Sequence, residues 1–175
     1  MNMMSDQSVV VGSSSELMND DGAYLGPSVR CVLFRLQKEV YGIQVKKIRE
    51  VLKVGTIRQV PGSDAQVLGV INVRGVIVTV IDARRTLGLA PKPIDQHSRI
   101  IIVEIDAEHT LGFLVDFVME VKDIPEQKFE PMVSVKDTAS RYIQGIAHFQ
   151  DQVIILIDVE SLFAASDIEF SDELL

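Results

Sequence analysis

GVINVRGVIVTVIDARRTL, residues 69–87, and GIAHFQDQVIILIDVESLF, residues 145–163, can be laid on one another at an offset of 76. Gly69 then meets Gly145, Val70 meets Ile146, Ile77 meets Val153, Ile81 meets Ile157, Asp82 meets Asp158 and Leu87 meets Phe163. Upstream, VLFRLQKEVYGIQVKKIREV (32–51) matches IVEIDAEHTLGFLVDFVMEV (102–121) at an offset of 70. There Gly42 meets Gly112, Val45 meets Val115, Ile48 meets Val118, Glu50 meets Glu120 and Val51 meets Val121. The change of offset puts six extra residues in the second copy, between 122 and 144, where KDIPEQKFEPMVSVKDTASRYIQ has the composition of a long connection. A unit of roughly 55 to 65 residues is marginal for a core of its own. Two such units packed together bury more apolar surface and leave a seam, a natural place for a partner. Chance likeness between Val/Ile-rich strands is the alternative reading of the repeat.

The elements within each copy read as β. VRCVLFRL, VYGIQV, VIVTVID, RIIIVEID, LGFLVD and QVIILID are short β-branched runs bounded by Gly, Pro, Asp or charged clusters. Helical spacing is confined to KKIREVL (46–52), ARRTLG (83–88) and VESLF (159–163). Many short strands with few helices argue for an all-β protein of barrels or a sandwich. VIVTVID is nearly continuously apolar over 76–81, which predicts cover on both faces of that strand, one by the core and the other by the second subdomain or another protein. Residues 1–28 are rich in Ser, Asn, Asp and Met and read as a flexible lead, while 164–175 form an acidic tail. The longest linker candidate is GLAPKPIDQHS, 88–98.

Bulk properties narrow the function. The net charge is -8 and no Lys/Arg group is denser than the KKIR at 46–49, which disfavours nucleic acid as a partner. No apolar run approaches the ~20 residues needed to span a bilayer, and the N-terminus lacks a basic n-region. A cytoplasmic location without membrane insertion is expected. The single Cys31 has no partner for an internal disulfide and sits in an apolar strand pattern, as a small core residue does.

Catalysis finds little support. His97, His109 and His148 are scattered, with no Cys or carboxylate at metal-ligand spacing, so neither a metal nor a cofactor is expected. No phosphate-binding or nucleophile-elbow motif occurs; Gly69 and Gly75 flank VINVR without opening a helix. Asp82 and Asp158 close strands just before helical segments, which is the N-cap position; a carboxylate pair is the costlier alternative. What remains is a surface for partners: Ile48, Val51 and Leu52 at helical spacing, and Arg74 at the tip of an expected hairpin. A small β-barrel that binds nucleic acid is a competing class. It would need a basic, aromatic face, whereas aromatic residues are 6% with no Trp. An enzyme with an unrecognised site is the other.

YGIQVKKIREVL, VLGVINVRGVIVTVIDARRTLGL, LGFLVDFVMEV and IQGIAHFQDQVIILIDVESLF, in this order and spacing, resemble the successive signature blocks of the CheW family. They cover about residues 29–163. The resemblance implies two packed five-stranded SH3-like β-barrels, a first over about 29–90 and a second over about 99–163, onto which the C-terminal helix can pack back. It implies a non-enzymatic adaptor between the cytoplasmic tips of chemoreceptors and the regulatory domain of a CheA-type histidine kinase, recruited to membrane-associated receptor arrays. The same role in a surface-motility or developmental pathway stays open. By position, Arg74 matches the arginine of the family's N-(L/V)-R-G turn, associated with receptor coupling. Ile48, Glu50, Val51 and Val121, with Ile100, would line an inter-barrel groove for the receptor, and Gly69 with Val70 the side that meets the kinase. Thr79 and Ala83 depart from the family's usual proline and leucine. CheV-type proteins carry an added receiver domain and CheA kinases carry ATP-binding motifs; neither fits in 175 residues, so a stand-alone adaptor is expected.

Overall fold

A computed structural model describes residues 26–132 and 139–164. The expected lead, apart from its last three residues, and the expected tail, apart from its first, lie outside them. Eleven strands follow in order: β1 (Ser28–Leu36), β2 (Glu39–Gln44), β3 (Ile48–Lys53), β4 (Val67–Val73), β5 (Val76–Asp82), β6 (Arg99–Asp106), β7 (His109–Val115), β8 (Phe117–Pro125), β9 (Phe129–Pro131), β10 (Ile143–Phe149) and β11 (Gln152–Ile157). Helix α1 is Ala83–Thr86, and α2 covers 159–164. Both start where Asp was expected to cap: the Asp82 carboxylate accepts the Arg84 N–H at 3.0 Å, and Asp158 accepts the Ser161 N–H at 3.3 Å.

One stretch departs from its expected conformation. KKIREVL is a single 3-10 turn, Val45–Lys47, followed by β3, and not a helix. Gln44 provides no side-chain cap, and β-branched Ile48 and Val51 find a ladder in β6, which outweighs seven residues of helical spacing.

The strands form two sheets, one of six in the order β8-β1-β2-β11-β10-β9 and one of five in the order β3-β6-β7-β5-β4. Each sheet draws on both halves of the chain. The β1–β2 hairpin of the first half joins strands of the second, and the β6–β7 hairpin of the second half joins β3, β4 and β5. Each hairpin is joined to its host sheet by one antiparallel pair, β1 with β8 or β6 with β3, and one parallel pair, β2 with β11 or β7 with β5; the remaining pairs are antiparallel. The two barrels are therefore not the sequential segments 29–90 and 99–163. Each is completed by a hairpin from the other segment, and one gains a sixth strand from the short β9.

This exchange explains the long apolar runs. Alternate residues of β1 point to different cores: Cys31 and Leu33 join Ile124, Ala147, Ile154 and Leu156, while Phe34 and Leu36 face a larger cluster shared between the sheets. In β6, Ile100 and Ile102 join Ile71, Val78 and Val80, while Ile101 and Val103 face the shared cluster. At its centre Phe34 stacks on Tyr41 at 5.7 Å and meets Phe113 of the other sheet edge-on at 6.0 Å. Such ring contacts add about 1 kcal/mol each beyond area burial. Val159, Leu162 and Phe163 of α2 close the same cluster.

In both barrels the chain past an edge strand returns to the opposite edge. Arg58 bridges Val70 of β4 through two backbone hydrogen bonds of 2.8 and 2.9 Å, and β9 pairs with β10. Gly69 makes this approach possible: at φ +151°, a Cβ there would lie 2.1 Å from the Arg58 carbonyl oxygen. Its repeat partner Gly145 meets the Glu130 carbonyl in the same way, at 2.8 Å. The repeated glycine thus marks a backbone crossing. Gly69→Ala should cost at least ~2 kcal/mol, since backbone must move and the new residue is strained; urea denaturation measures it. Residues 1–95 and 96–175, made separately, should each lack a cooperative transition. Mixed and refolded together, they should recover the β signal of the whole chain. An independently folded half would show that the hairpin exchange is dispensable.

Candidate functional site

The β4–β5 hairpin turns on Arg74 and Gly75, at φ 49° and 87°, the positive values a type I′ turn needs at both positions. Asn72 closes the turn, its Oδ1 accepting the Gly75 N–H at 2.8 Å. From this tip the Arg74 guanidinium, 68% exposed, reaches across to β3, where Nη2 donates to Glu50 Oε2. That hydrogen bond, helped by the Arg74 and Arg49 charges, holds the Glu50 carboxyl below its ordinary range. Glu50 is therefore ionised throughout the neutral range. An ion pair this exposed adds little to stability; its effect is on where the two charges stand.

Shallow clefts flank the pair. One of about 110 Å³ lies against Glu50, Val73, Val76 and Thr110. A second of about 300 Å³ lies against Leu52, Thr56, Asn72 and Arg74. A third, about 560 Å³, is lined by Thr56, Arg58, Val70, Ile71, Asn72 and Ile77.

The structure distributes the other expected site residues unevenly. Ile48 and Glu50 do not share a face, because a bulge between them shifts the β3–β6 register. Ile48 pairs with Val103 and packs on the shared core, while Glu50 pairs with Ile102. Val51 is 38% exposed, and its repeat partner Val121 on β8 is 58% exposed. Both copies thus keep a solvent-facing valine on an edge strand. Ile100, 1% exposed and paired with Leu52 and Leu114, is packed into the core of its sheet and reaches the surface only as part of the lining of the cleft of about 300 Å³. Gly69 is buried beneath the Arg58 carbonyl, and Val70, half-buried, lines the cleft of about 560 Å³.

Two residues escaped sequence reasoning. Val76 and Ile77, 53% and 62% exposed, open β5 at the hairpin tip, beyond the point where its parallel pairing with β7 begins at Thr79. Within the chain, cover of VIVTVID begins at Val78. The uniform apolar run carried no sign of this; the offset of β5 against β7 is a tertiary fact.

No group of three His, Cys, Asp or Glu residues placed to hold a metal occurs among the described residues. Cys31 is fully buried, and burial, with the Asp123 charge adding, pushes its thiol up to about 12, so it stays protonated. No described helix is long and apolar enough to cross a membrane.

Comparison with known proteins places this architecture. Residues 30–167 match the CheW-like domain. The chain is 31% identical over 136 residues to the chemotaxis protein CheW of Bacillus subtilis, covering 76% of this chain and 85% of that one. It is 30% identical to the Thermotoga maritima chemotaxis protein CheW, over 74% of this chain and 83% of that protein. The crystal structure of the scaffolding protein TtCheW from Thermoanaerobacter tengcongensis superposes with a TM-score of 0.71 at 36% identity, covering 75% of this chain and 90% of that one. On the extent of these matches and the shared two-sheet fold, the chain belongs to the CheW-like domain family.

Proposed function

We propose that this protein is a non-catalytic adaptor that couples the cytoplasmic tips of chemoreceptors to the regulatory domain of a CheA-type histidine kinase. Membership of a family whose relatives are chemotaxis proteins, one of them titled a scaffolding protein, supports the reading. The observation that carries it is local: a preset, solvent-facing Arg74–Glu50 pair at a hairpin tip, beside open clefts with apolar walls. Such a surface suits a protein partner better than a small substrate, because it has charge and apolar area but no enclosed cavity with converging polar groups.

In this reading the receptor engages Arg74 and Glu50 together with the exposed valines Val51 and Val121. Ile48 supports that surface from beneath, since it packs on the shared core. The kinase meets the side of the β4–β5 hairpin that presents Val70, with Ile77 beside it in the same cleft and Gly69 setting the backbone spacing. The protein acts in the cytoplasm at membrane-associated receptor arrays, held there by its partners.

Reconstitution with receptor-containing membranes and kinase tests this. Arg74→Glu should co-sediment poorly and lower receptor-dependent kinase activity by about tenfold or more, as loss of an interface arginine commonly does. Its thermal midpoint should barely move, because the exposed pair contributes little to stability. Full coupling by a normally folded Arg74→Glu would remove Arg74 from the receptor surface.

A further inference from the structure

The chain contains its own control for the Arg74 hairpin. At the offset of 76, the β10–β11 hairpin is the counterpart of β4–β5, with Gln150 and Asp151 in place of Arg74 and Gly75. Its turn has the same geometry: Phe149 pairs with Gln152 as Val73 pairs with Val76, and both turn residues have positive φ, 51° and 61°. Where β4 has Asn72, β10 has His148. The fold thus builds this hairpin once with Asn, Arg and Gly, and once with none of them.

Asn72 is therefore not required for the turn as such. Both tips hold a side chain at positive φ, 49° for Arg74 and 51° for Gln150; what distinguishes the Asn72 hairpin is that its tip residue is an arginine with an acidic partner. The Asn72 amide oxygen takes the N–H of the residue next to Arg74, which fixes the peptide plane from which the guanidinium departs. The outcome is an arginine whose Nη2 rests on Glu50 Oε2. The equivalent position in β8, Glu120, lies near Lys122 at 3.6 Å.

We infer that Asn72 is a positioning residue: the turn forms without it, but its bond to the Gly75 N–H locks the Arg74–Gly75 peptide so that the Arg74 guanidinium is held on Glu50, ordered before a partner arrives. The inference rests on the reading of Arg74 as the coupling residue. An arginine ordered in advance loses less side-chain freedom on binding.

The test uses Asn72→Ala, Asn72→Asp and Asn72→His in the full chain. The last is compatible with the hairpin, as position 148 demonstrates. The decisive readout is the titration of the Glu50 carboxyl, followed by carbon NMR. It should rise toward an ordinary glutamate in the alanine and histidine variants, because Arg74 no longer rests on it. Receptor-dependent kinase activity should fall about three- to tenfold in those two. Asn72→Asp keeps an acceptor oxygen in place and should keep the coupling. A Glu50 titration unchanged in both Asn72→Ala and Asn72→His overturns the inference, even with Arg74→Glu inactive. Full coupling in Arg74→Glu sinks the adaptor surface instead, and leaves the Glu50 titration to decide the role of Asn72 on its own.

Discussion

Strand β2 runs parallel to β11, and β5 runs parallel to β7; at each of these joints a hairpin from one half of the chain completes the sheet of the other. Neither half can bury its apolar strands alone, because one face of β1 and one face of β6 belong to a core that exists only when both sheets are present. The described residues therefore form three clusters, one within each sheet's own strands and one between the sheets. The barrels should unfold together, since ordering either hairpin without its host sheet loses chain entropy for little burial.

The points where the chain crosses between sheets are tied by ion pairs in related places. At the β7–β8 crossing, Asp116 takes the Arg84 guanidinium at 2.7–3.1 Å on both oxygens and the Gln37 N–H at 3.1 Å. Burial alone would push the Asp116 carboxyl up, yet these bonds hold it below its usual range. This single cluster joins α1, the β1–β2 turn and the crossing itself. At the other crossing Lys47 meets Glu160, and Glu160 is the repeat partner of Arg84. The two copies thus pin the same joint with opposite polarity. Their backbones share a common plan while the charges on their surfaces differ.

That divergence is sharpest at the hairpin tips. Both tips have positive φ at non-glycine residues, so both hold strain the frame must absorb. Only one presents an arginine braced by an acidic residue, Glu50 of β3 at the far edge of the same sheet. Beside it Val76 and Ile77 are apolar and open, a combination that adds contact area to a fixed charge.

Much of this was legible in the residues. Short apolar runs identified β1, β2, β5, β6, β7 and β11, the offsets of 70 and 76 matched strands of one copy to strands of the other, and Asp82 and Asp158 stood where helices begin. These are local properties, carried by side-chain alternation and capping chemistry within a few residues. Strand partnership is not local. The repeat shows that β1 corresponds to β6, but it is silent on which copy of β3 either one joins. Only tertiary packing decided that the hairpins exchange, that Ile100 is core and Ile77 open, and that Glu50 lies within reach of Arg74. Each of those facts depends on the register of segments 24 or more residues apart, which is set by how much apolar surface the whole assembly can bury at once.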